Sequence, residues 1–474
     1  MSAQTLLPPT SLHTAAATET APASDATANT TPQLKKTLKL HSIVLIGVAY
    51  MAPLIVLGTF GVIATASHGA TAMSYLIALI VMLFTASSYG RMAGLHPESG
   101  SAYTYVGKAI SPKLGFLAGW TVLLDYIFLP MVIWLIGASY LEQEFPVVPS
   151  WLWIVGFIVV TSVLNIVGLQ VADKVTFGLM LFQVVVLGAF IYLSYRSIMG
   201  GAGTGTVFSL QPFIGSNSNV NLVIAGSAVA AYSFLGFDAV TTMSEETENP
   251  KRDMPRAIML VALIGGVVFI SAAYFVQLVH PSFVFDDESS AGFEIALQIG
   301  GNLFAALFIG GLSICQFASG IAAQASASRL LYAMGRDGVL PNKVFGRLSK
   351  RFSTPVFNIC LIGAIGLIAL VLNVAASTSF VNFGAFTAFT LVNLSVIVSY
   401  AKMSPAERKE HMPGGIIRNI VFPALGAIFC AYLLINLDSN AIVLGLSWLA
   451  VGVVILLFLT KGFRKNPPNL SSME

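Results

Sequence analysis

The chain has 474 residues, of which 56% are hydrophobic and only 9% are charged, and its mean hydropathy is +0.82. A soluble domain of this length needs far more charged surface, so the composition excludes an ordinary soluble core. The formal net charge of +3 is too small to indicate nucleic-acid binding, and no nucleic-acid partner is expected. The sequence predicts an all-α polytopic membrane protein whose partner is the lipid bilayer.

The first 35 residues are rich in Ala, Thr and Ser and contain no apolar stretch long enough for a signal peptide. They predict a disordered cytoplasmic tail, and residues 466–474 predict a second one. Between them recur apolar runs of roughly 20 residues, the length that crosses a hydrocarbon core of about 30 Å. The twelve predicted runs are 42–64, 72–95, 114–141, 151–170, 175–195, 221–243, 257–279, 295–325, 355–373, 378–401, 416–436 and 441–460.

Lys and Arg residues alternate with these runs in a way that predicts orientation, because basic residues beside spanning helices concentrate on the cytoplasmic side. With the N-terminus inside, only Arg196 falls in an outer segment. A missed or additional helix would invert every later loop and destroy this asymmetry. The pattern therefore predicts twelve spans in the inner membrane, with both termini cytoplasmic.

The first and sixth runs contain residues that break helices. The first reads IGVAYMAPLIVLGTFG and includes Pro53, and the sixth reads IAGSAVAAYSFLGFDAV and includes Gly236. Four runs separate them, which is the spacing of a transporter built from five helices followed by five inverted ones. Backbone groups at such breaks hold substrate, so contacts are predicted from Pro53, Leu54 and Ile55 in the first run and from Phe234 and Gly236 in the sixth. The alternative is that the glycines only allow close helix packing.

Two acidic residues lie inside apolar runs, Asp125 in GWTVLLDYIFLP and Asp238 in SFLGFDAV. Ionisable groups within a membrane are costly and are usually functional. Each carboxylate could neutralise an amine, accept a coupling proton or cap backbone freed by a break. For Asp238, which follows Gly236 closely, proton coupling or capping is favoured over substrate contact, whereas Asp125 is predicted to bind substrate or to serve a structural role.

Aromatic residues accompany both acids. Tyr126 and Tyr232 are predicted to contact a cationic substrate through their ring faces, and Tyr232 is also a predicted gate. Packing is the alternative for both. At the cytoplasmic end of the sixth run, Glu245 and Glu246 precede a basic stretch and are predicted to form an inner gate, the alternative being a solvated charge cluster.

The sequence gives little support to an enzyme. Its six histidines are scattered without metal-ligand spacing, its three cysteines lie singly in apolar runs, and neither GxSxG nor a P-loop occurs. We therefore expect no metal and no cofactor, and the sequence favours a secondary transporter.

Three stretches carry a family resemblance. They are HPESGSAYTYVGKAISPKLGFLAGW at 96–120, YSFLGFDAVTTMSEETENPKRDMPRAI at 232–258 and SRLLYAMGRDGVLPNKVFGRLSKRFSTPVFN at 328–358. Their order resembles that of the amino acid-polyamine-organocation (APC) superfamily over about residues 36–465. Within that superfamily, LLDYIFLP, FLGFDAVTTMSEET and VNFGAFTAFTLVNLSV look most like the bacterial putrescine importers.

The resemblance implies a LeuT-like 5+5 inverted repeat with broken helices 1 and 6, occupying residues 36–402, followed by helices 11 and 12 at 403–465. It also implies alternating access, substrate recognition by Tyr126, gating by Tyr232 and a proton-sensitive Asp238. The chain has APLIV where amino-acid members often have GSGIF, and Gly58 where the importers resemble FDTFG. It has Gln183 where some proton-coupled relatives have a lysine.

The resulting prediction is a proton symporter that imports putrescine or a related polyamine. An amino-acid permease of the same superfamily is the alternative. A channel, a ligand-binding sensor that does not transport and a membrane enzyme are the alternatives from other classes.

Overall fold

The computed structural model describes residues 38–97, 101–167, 173–336, 340–349, 351–352, 354–464 and 467, and within these ranges the chain is helical and forms no β-strand. The predicted tail at 1–35 and, apart from residue 467, the tail at 466–474 lie outside the described residues. The α-helices are α1 (Leu40–Tyr50), α2 (Ile55–Gly58), α3 (Phe60–Ser67), α4 (Thr71–Leu95), α5 (Ser101–Ala109), α6 (Pro112–Glu144), α7 (Ser150–Val167), α8 (Asp173–Met199), α9 (Gln211–Ile214), α10 (Val220–Ala230), α11 (Pro250–Val279), α12 (Ala291–Arg336), α13 (Asn342–Phe345), α14 (Val356–Gly366), α15 (Val374–Lys402), α16 (Pro405–His411), α17 (Phe422–Ile435) and α18 (Ser439–Leu459).

Eleven helical segments in the described part of the chain are long and apolar enough to cross a membrane. They are Leu40–Gly58, Thr71–Leu95, Pro112–Glu144, Ser150–Val167, Gly178–Met199, Val220–Thr241, Pro250–Val279, Ala291–Tyr332, Val374–Lys402, Ile417–Ile435 and Ser439–Leu459. The prediction of an all-helical protein with many apolar helices is thereby confirmed.

The ninth predicted run, 355–373, folds differently from the others. It forms α14 and then a 3₁₀ turn, Leu367–Leu370, which together make a shorter apolar helix, Val356–Leu370. A full crossing by an ideal α-helix takes about 20 residues. The count of twelve crossing helices therefore stays a prediction.

The first crossing segment is interrupted after α1. Helix α1 ends at Tyr50, Ala52 has a positive φ of 50°, and Pro53 follows before α2 begins at Ile55. Proline has no N–H to donate and its ring clashes with the preceding turn, so a regular helix cannot continue through this stretch. Leu54 and Ile55 are buried at the interruption.

A second interruption follows α10. The chain passes from Ala230 into a 3₁₀ turn (Ala231–Phe234) and then into a longer 3₁₀ segment (Ala239–Glu246). Between them Gly236 has a φ of +115°, a conformation that residues with a Cβ rarely adopt. A Cβ at Gly236 would also overlap the ring of Tyr50, so the two interruptions meet at this contact.

Small residues let the central helices pack closely. If Gly90 of α4 carried a Cβ, that atom would lie 3.0 Å from the Cα of Pro255 in α11. A Cβ on Gly384 of α15 would lie 2.5 Å from the carbonyl oxygen of Thr121 in α6. Such close approach of backbones stabilises helix pairs in membranes, where apolar burial alone gives no driving force. The second contact places α15 directly beside the turn of α6 that carries Asp125.

Candidate functional site

Both predicted intramembrane acids are buried inside the helix bundle. Asp125 is 6% exposed and Asp238 is 3% exposed. Asp125 is in the middle of α6, and Asp238 follows the second helix interruption. The two carboxyl groups are close enough to interact electrostatically. The fold therefore brings together acids that are separated by more than a hundred residues in the sequence.

Asp238 uses its carboxyl group to cap the interrupted backbone. Its Oδ1 accepts a hydrogen bond from the backbone N–H of Gly236 at 3.3 Å. The carboxyl group also accepts hydrogen bonds from the backbone amides of Asp238 itself and Ala239. Backbone amides that are left unpaired in a buried site are costly, and these bonds avoid that cost. Asp238 therefore stabilises the irregular backbone of the second interruption.

The carboxyl group of Asp125, unlike that of Asp238, has an oxygen without a hydrogen-bond donor among the described residues. Its Oδ1 is fully buried and has no hydrogen-bond partner among the described residues. A buried polar atom without a partner costs about 1–3 kcal/mol and calls for an explanation such as a ligand. Of the two acids, Asp125 is the one with an acceptor oxygen available to a substrate.

Tyrosine side chains from four elements surround the two acids. Tyr50 and Tyr126 both interact electrostatically with Asp125 and with Asp238. Tyr89 of α4 does the same, and Tyr232 interacts with Asp125 and with Tyr50. Two of these residues, Tyr126 and Tyr232, were predicted from the sequence, whereas Tyr50 and Tyr89 were missed. The position of Tyr50 directly before the Pro53 interruption is a signal that could have revealed it.

A cavity of about 820 Å³ reaches from two of these tyrosines, Tyr50 and Tyr232, towards the C-terminal end of α12. Tyr50 and Tyr232 line its inner part, and Arg329, Phe352 and Thr354 line the part near the C-terminal end of α12. Asp125 and Asp238 are not among the residues that line it. Tyr50 and Tyr232 line the cavity and also interact electrostatically with Asp125, so they connect the cavity to the acids.

Two glutamines line the same cavity with unpaired polar atoms. Gln183 of α8 is 4% exposed and Gln316 of α12 is 1% exposed. The Oε1 of Gln183 and the Nε2 of Gln316 have no hydrogen-bond partner among the described residues. The cavity wall therefore offers one acceptor and one donor to a bound molecule.

The other predicted contacts are distributed around this site. Ile55 lines the cavity, whereas Leu54 is fully buried and Pro53 lies at the interruption itself. Phe234 is fully buried and packs edge to face on Phe269, with 5.4 Å between ring centroids. The predicted gate residues Glu245 and Glu246 are in the second 3₁₀ segment, but their side chains lie outside what the structure describes.

The bundle is sealed at the opposite end, near the N-terminus of α12. The hydroxyl group of Tyr140 donates to the carbonyl oxygen of Leu57 at 2.7 Å, which ties α6 to the segment after the first interruption. Phe60 packs against Phe285 at 6.2 Å, and the position of a Cβ on Gly61 overlaps the carbonyl of Glu288. These contacts pack the described residues tightly at this end, and none of the residues that form them is among those that line the cavity.

Comparison with known proteins identifies the family. The model of the amino acid permease family matches residues 42–462. The chain belongs to the amino acid permease family. The low-affinity putrescine importer PlaP of Escherichia coli K12 is 39% identical over 439 residues, which cover 92% of this chain and 96% of that protein. This confirms the resemblance to the APC superfamily and to its putrescine importers.

More distant relatives are named for other substrates. The branched-chain amino acid permease BcaP of Bacillus subtilis is 24% identical over 89% of this chain and 92% of its own length. The methylthioribose transporter of the same organism is also 24% identical, over 89% of this chain and 93% of its own length. Together with the eleven apolar helices, family membership shows that this permease is a multi-pass membrane transport protein.

Proposed function

We propose that this permease imports a small cationic amine, putrescine or a related polyamine, across the inner membrane. The observation that carries the proposal is the buried, unpaired carboxylate oxygen of Asp125 within a group of tyrosines. This oxygen has no hydrogen-bond donor beside it among the described residues, and an ammonium group would supply a donor that is also positively charged. The faces of the tyrosine rings attract cations as well. The 39% identity to a protein named as a putrescine importer supports the same substrate class.

The cavity suggests how a diamine would be held. One ammonium group would bind Asp125 and contact Tyr126, while the alkyl chain passes the aromatic wall. The second ammonium group would reach the cavity, where Gln183 has an unpaired acceptor oxygen. Pro53, Leu54, Ile55, Phe234 and Gly236 would shape the site from the two interruptions. A diamine should therefore bind more tightly than the monoamine of the same chain length.

We assign the role of binding the coupling proton to Asp238. Protonation of this carboxyl group would weaken its hydrogen bonds to the backbone amides at the second interruption. Alternating access requires the second interruption to change its conformation. Binding of the proton would favour one of its conformations over the other. In this proposal Tyr232 separates the acids from the cavity, and Glu245 and Glu246 form the inner gate.

The proposed architecture is the one that the sequence predicts. Residues 36–402 would form a LeuT-like inverted repeat of five plus five helices, with α14 and its 3₁₀ turn counted as the ninth, and residues 403–465 would add two more. Both termini would be cytoplasmic. The cavity mouth at Arg329 and Phe352 would then face the cytoplasm, as in an inward-open state.

Uptake by the purified protein in proteoliposomes tests this proposal. We expect accumulation of labelled putrescine when an inward pH gradient is imposed and none without a gradient. Unlabelled polyamines should compete strongly, and butylamine should compete less well than putrescine. The substrate assignment fails if putrescine, other polyamines and basic amines do not compete, and symport fails if collapse of the gradient leaves accumulation unchanged.

An amino-acid permease is the second candidate, and the similarity to BcaP favours it. The same competition panel separates the two. An amino-acid permease requires a free carboxylate on the competitor, so arginine and lysine would compete whereas putrescine and agmatine would not. The stretch APLIV argues against this candidate, since it lacks the glycine-rich backbone that holds a substrate carboxylate in amino-acid members.

A further inference from the structure

Two arginines from different helices lie together at one end of the bundle. Arg91 is in the last turns of α4, and Arg418 is in a π-helical segment, Ile417–Val421, that precedes α17. The position of a Cβ on Gly414 is 2.8 Å from the Cδ of Arg418 and 3.2 Å from the Nη2 of Arg91, so both side chains border this glycine. Like charges this close repel one another unless an anion lies between them.

The loop between the two arginines is held in place by hydrogen bonds. The buried amide of Asn419 donates to the carbonyl oxygens of Met412 at 2.9 Å and Gly415 at 2.8 Å. Arg91 Nη1 donates to the carbonyl oxygen of Pro413 at 2.7 Å. Gly414 has a φ of +113°, which glycine adopts readily. These bonds hold the loop in shape and anchor the guanidinium group of Arg91 beside it.

No carboxylate neutralises the pair. Within the described ranges, no Asp or Glu oxygen lies within 4.0 Å of either guanidinium group, although Arg252 and Asp253 do form such an ion pair. Of the two acids in the neighbouring helix α16, Glu407 is engaged in the capping box with Ser404, and Glu410 forms no ion pair with either arginine among the described residues. The hydrogen bond from Arg91 to Pro413 goes to a neutral carbonyl group. In the part of the chain that the structure describes, no carboxylate therefore compensates the positive charge of the pair.

The residues around the two arginines indicate which kind of anion could neutralise their positive charge. Ile416 and Ile417 are 63% and 64% exposed, and Val421, one turn further on, is 41% exposed. Exposed β-branched residues on a helix that enters the membrane face lipid chains. The pair lies at the same end as Lys251, whose carbonyl oxygen is close to Gly94 of α4, and hence at the end with the basic segments. Two arginines that form no ion pair among the described residues thus lie beside an exposed apolar surface at the end of a predicted spanning helix.

We propose that Arg91 and Arg418 form a binding site for the phosphate of an anionic phospholipid in the leaflet on this side. Two guanidinium groups present several N–H donors to phosphate oxygens, which is the geometry that favours arginine over lysine at such sites. The acyl chains would lie along Ile416, Ile417 and Val421. Basic pockets between transmembrane helices are recognised sites for anionic headgroups.

The test counts phosphatidylglycerol and phosphatidylcholine bound to the purified permease by native mass spectrometry in a neutral detergent. We expect the wild type to retain phosphatidylglycerol selectively. Each basic residue near a membrane surface contributes about 1 kcal/mol, so Arg418→Gln should lower the relative affinity about fivefold. Arg418→Lys should retain more of the affinity than Arg418→Gln, because it keeps the charge.

Matched variants separate the site from general surface charge. Arg256→Gln makes the same charge change at an exposed position of α11 and should leave the phosphatidylglycerol affinity unchanged. Arg91→Gln also removes the bond to Pro413, so its folding is first checked by thermal unfolding without added lipid. An equal loss in Arg256→Gln, or no loss in either arginine variant of the pair, overturns the proposal. Displacement of the lipid by millimolar inorganic phosphate would overturn it in favour of a soluble phosphate site.

Discussion

Replacing Asp125 with asparagine removes the charge of the buried carboxyl group and keeps its size. The residue is 6% exposed, and its backbone packs against α15, where a Cβ on Gly384 would lie 3.3 Å from the nitrogen of Asp125. The amide fits the same space without opening a cavity. Asp125→Asn therefore tests the charge of the group and disturbs the packing of the bundle little.

The expected change in the Kd for putrescine follows from the unpaired Oδ1 of Asp125. The Oδ1 of Asp125 has no protein partner among the described residues, so a bound ammonium group would be its main hydrogen-bond donor. A hydrogen bond to a charged group contributes about 1.5–3 kcal/mol. Each 1.4 kcal/mol changes an equilibrium constant tenfold, so the Kd for putrescine should rise roughly 10- to 150-fold.

The assay is equilibrium binding of labelled putrescine to purified protein, followed by uptake in proteoliposomes. Asp286→Asn is the matched control, because it makes the same change at an exposed position in the loop before α12. Thermal unfolding of both variants shows whether the fold is retained. A Kd within twofold of the wild type for a folded Asp125→Asn protein would refute the assignment of Asp125 as the amine ligand.

Three further predictions concern residues around the acids. Asp238→Asn should abolish accumulation driven by a pH gradient but spare putrescine binding, as measured by uptake and by equilibrium binding, since the coupling proton is assigned to this carboxyl group. Tyr126→Ala should weaken putrescine binding roughly 2- to 30-fold in the same binding assay, because a cation over an aromatic face gains about 0.5–2 kcal/mol. Gly236→Ala should lower the thermal unfolding midpoint, because a positive φ costs a residue with a Cβ about 1–3 kcal/mol and because the new methyl group overlaps Tyr50.

Each of these predictions has its own contradicting result. Normal accumulation by Asp238→Asn would show that another group couples the proton. Unchanged affinity of Tyr126→Ala would assign this residue to packing. For Gly236, the matched control is Gly156→Ala in α7, where the added methyl group meets no atom within 4 Å and an unchanged or higher midpoint is expected. Equal behaviour of the two glycine variants would show that the positive φ of Gly236 carries no structural cost.

Much of the architecture could be predicted because the membrane imposes it locally. Backbone groups inside a bilayer must be satisfied by the protein itself, so apolar runs of sufficient length favour helices. Pro53 and Gly236 mark the interruptions locally, since proline lacks an N–H and glycine lacks a Cβ, although Pro130 lies within the continuous helix α6. The family resemblance rested on sequence stretches and needed no structure.

The partners of the two acids could not be predicted, because they depend on how the helices pack. From the sequence, Asp238 was assigned to proton coupling or capping without a choice between them, and the structure adds its hydrogen bonds to the backbone of the second interruption. Asp125 was assigned to substrate or structure, and only the packed bundle reveals that its Oδ1 has no partner. Tyr50 and Tyr89 look like ordinary membrane aromatics until the fold brings them to these acids.

The sequence by itself thus determined the helical class, the family, the two interruptions and the identity of the intramembrane acids, since each of these follows from a short stretch of chain. Only the tertiary structure decided which polar atoms are paired, which residues line the cavity and where Arg91 meets Arg418. Those facts depend on contacts between residues far apart in the sequence, and a single sequence carries no signal for the distance between them.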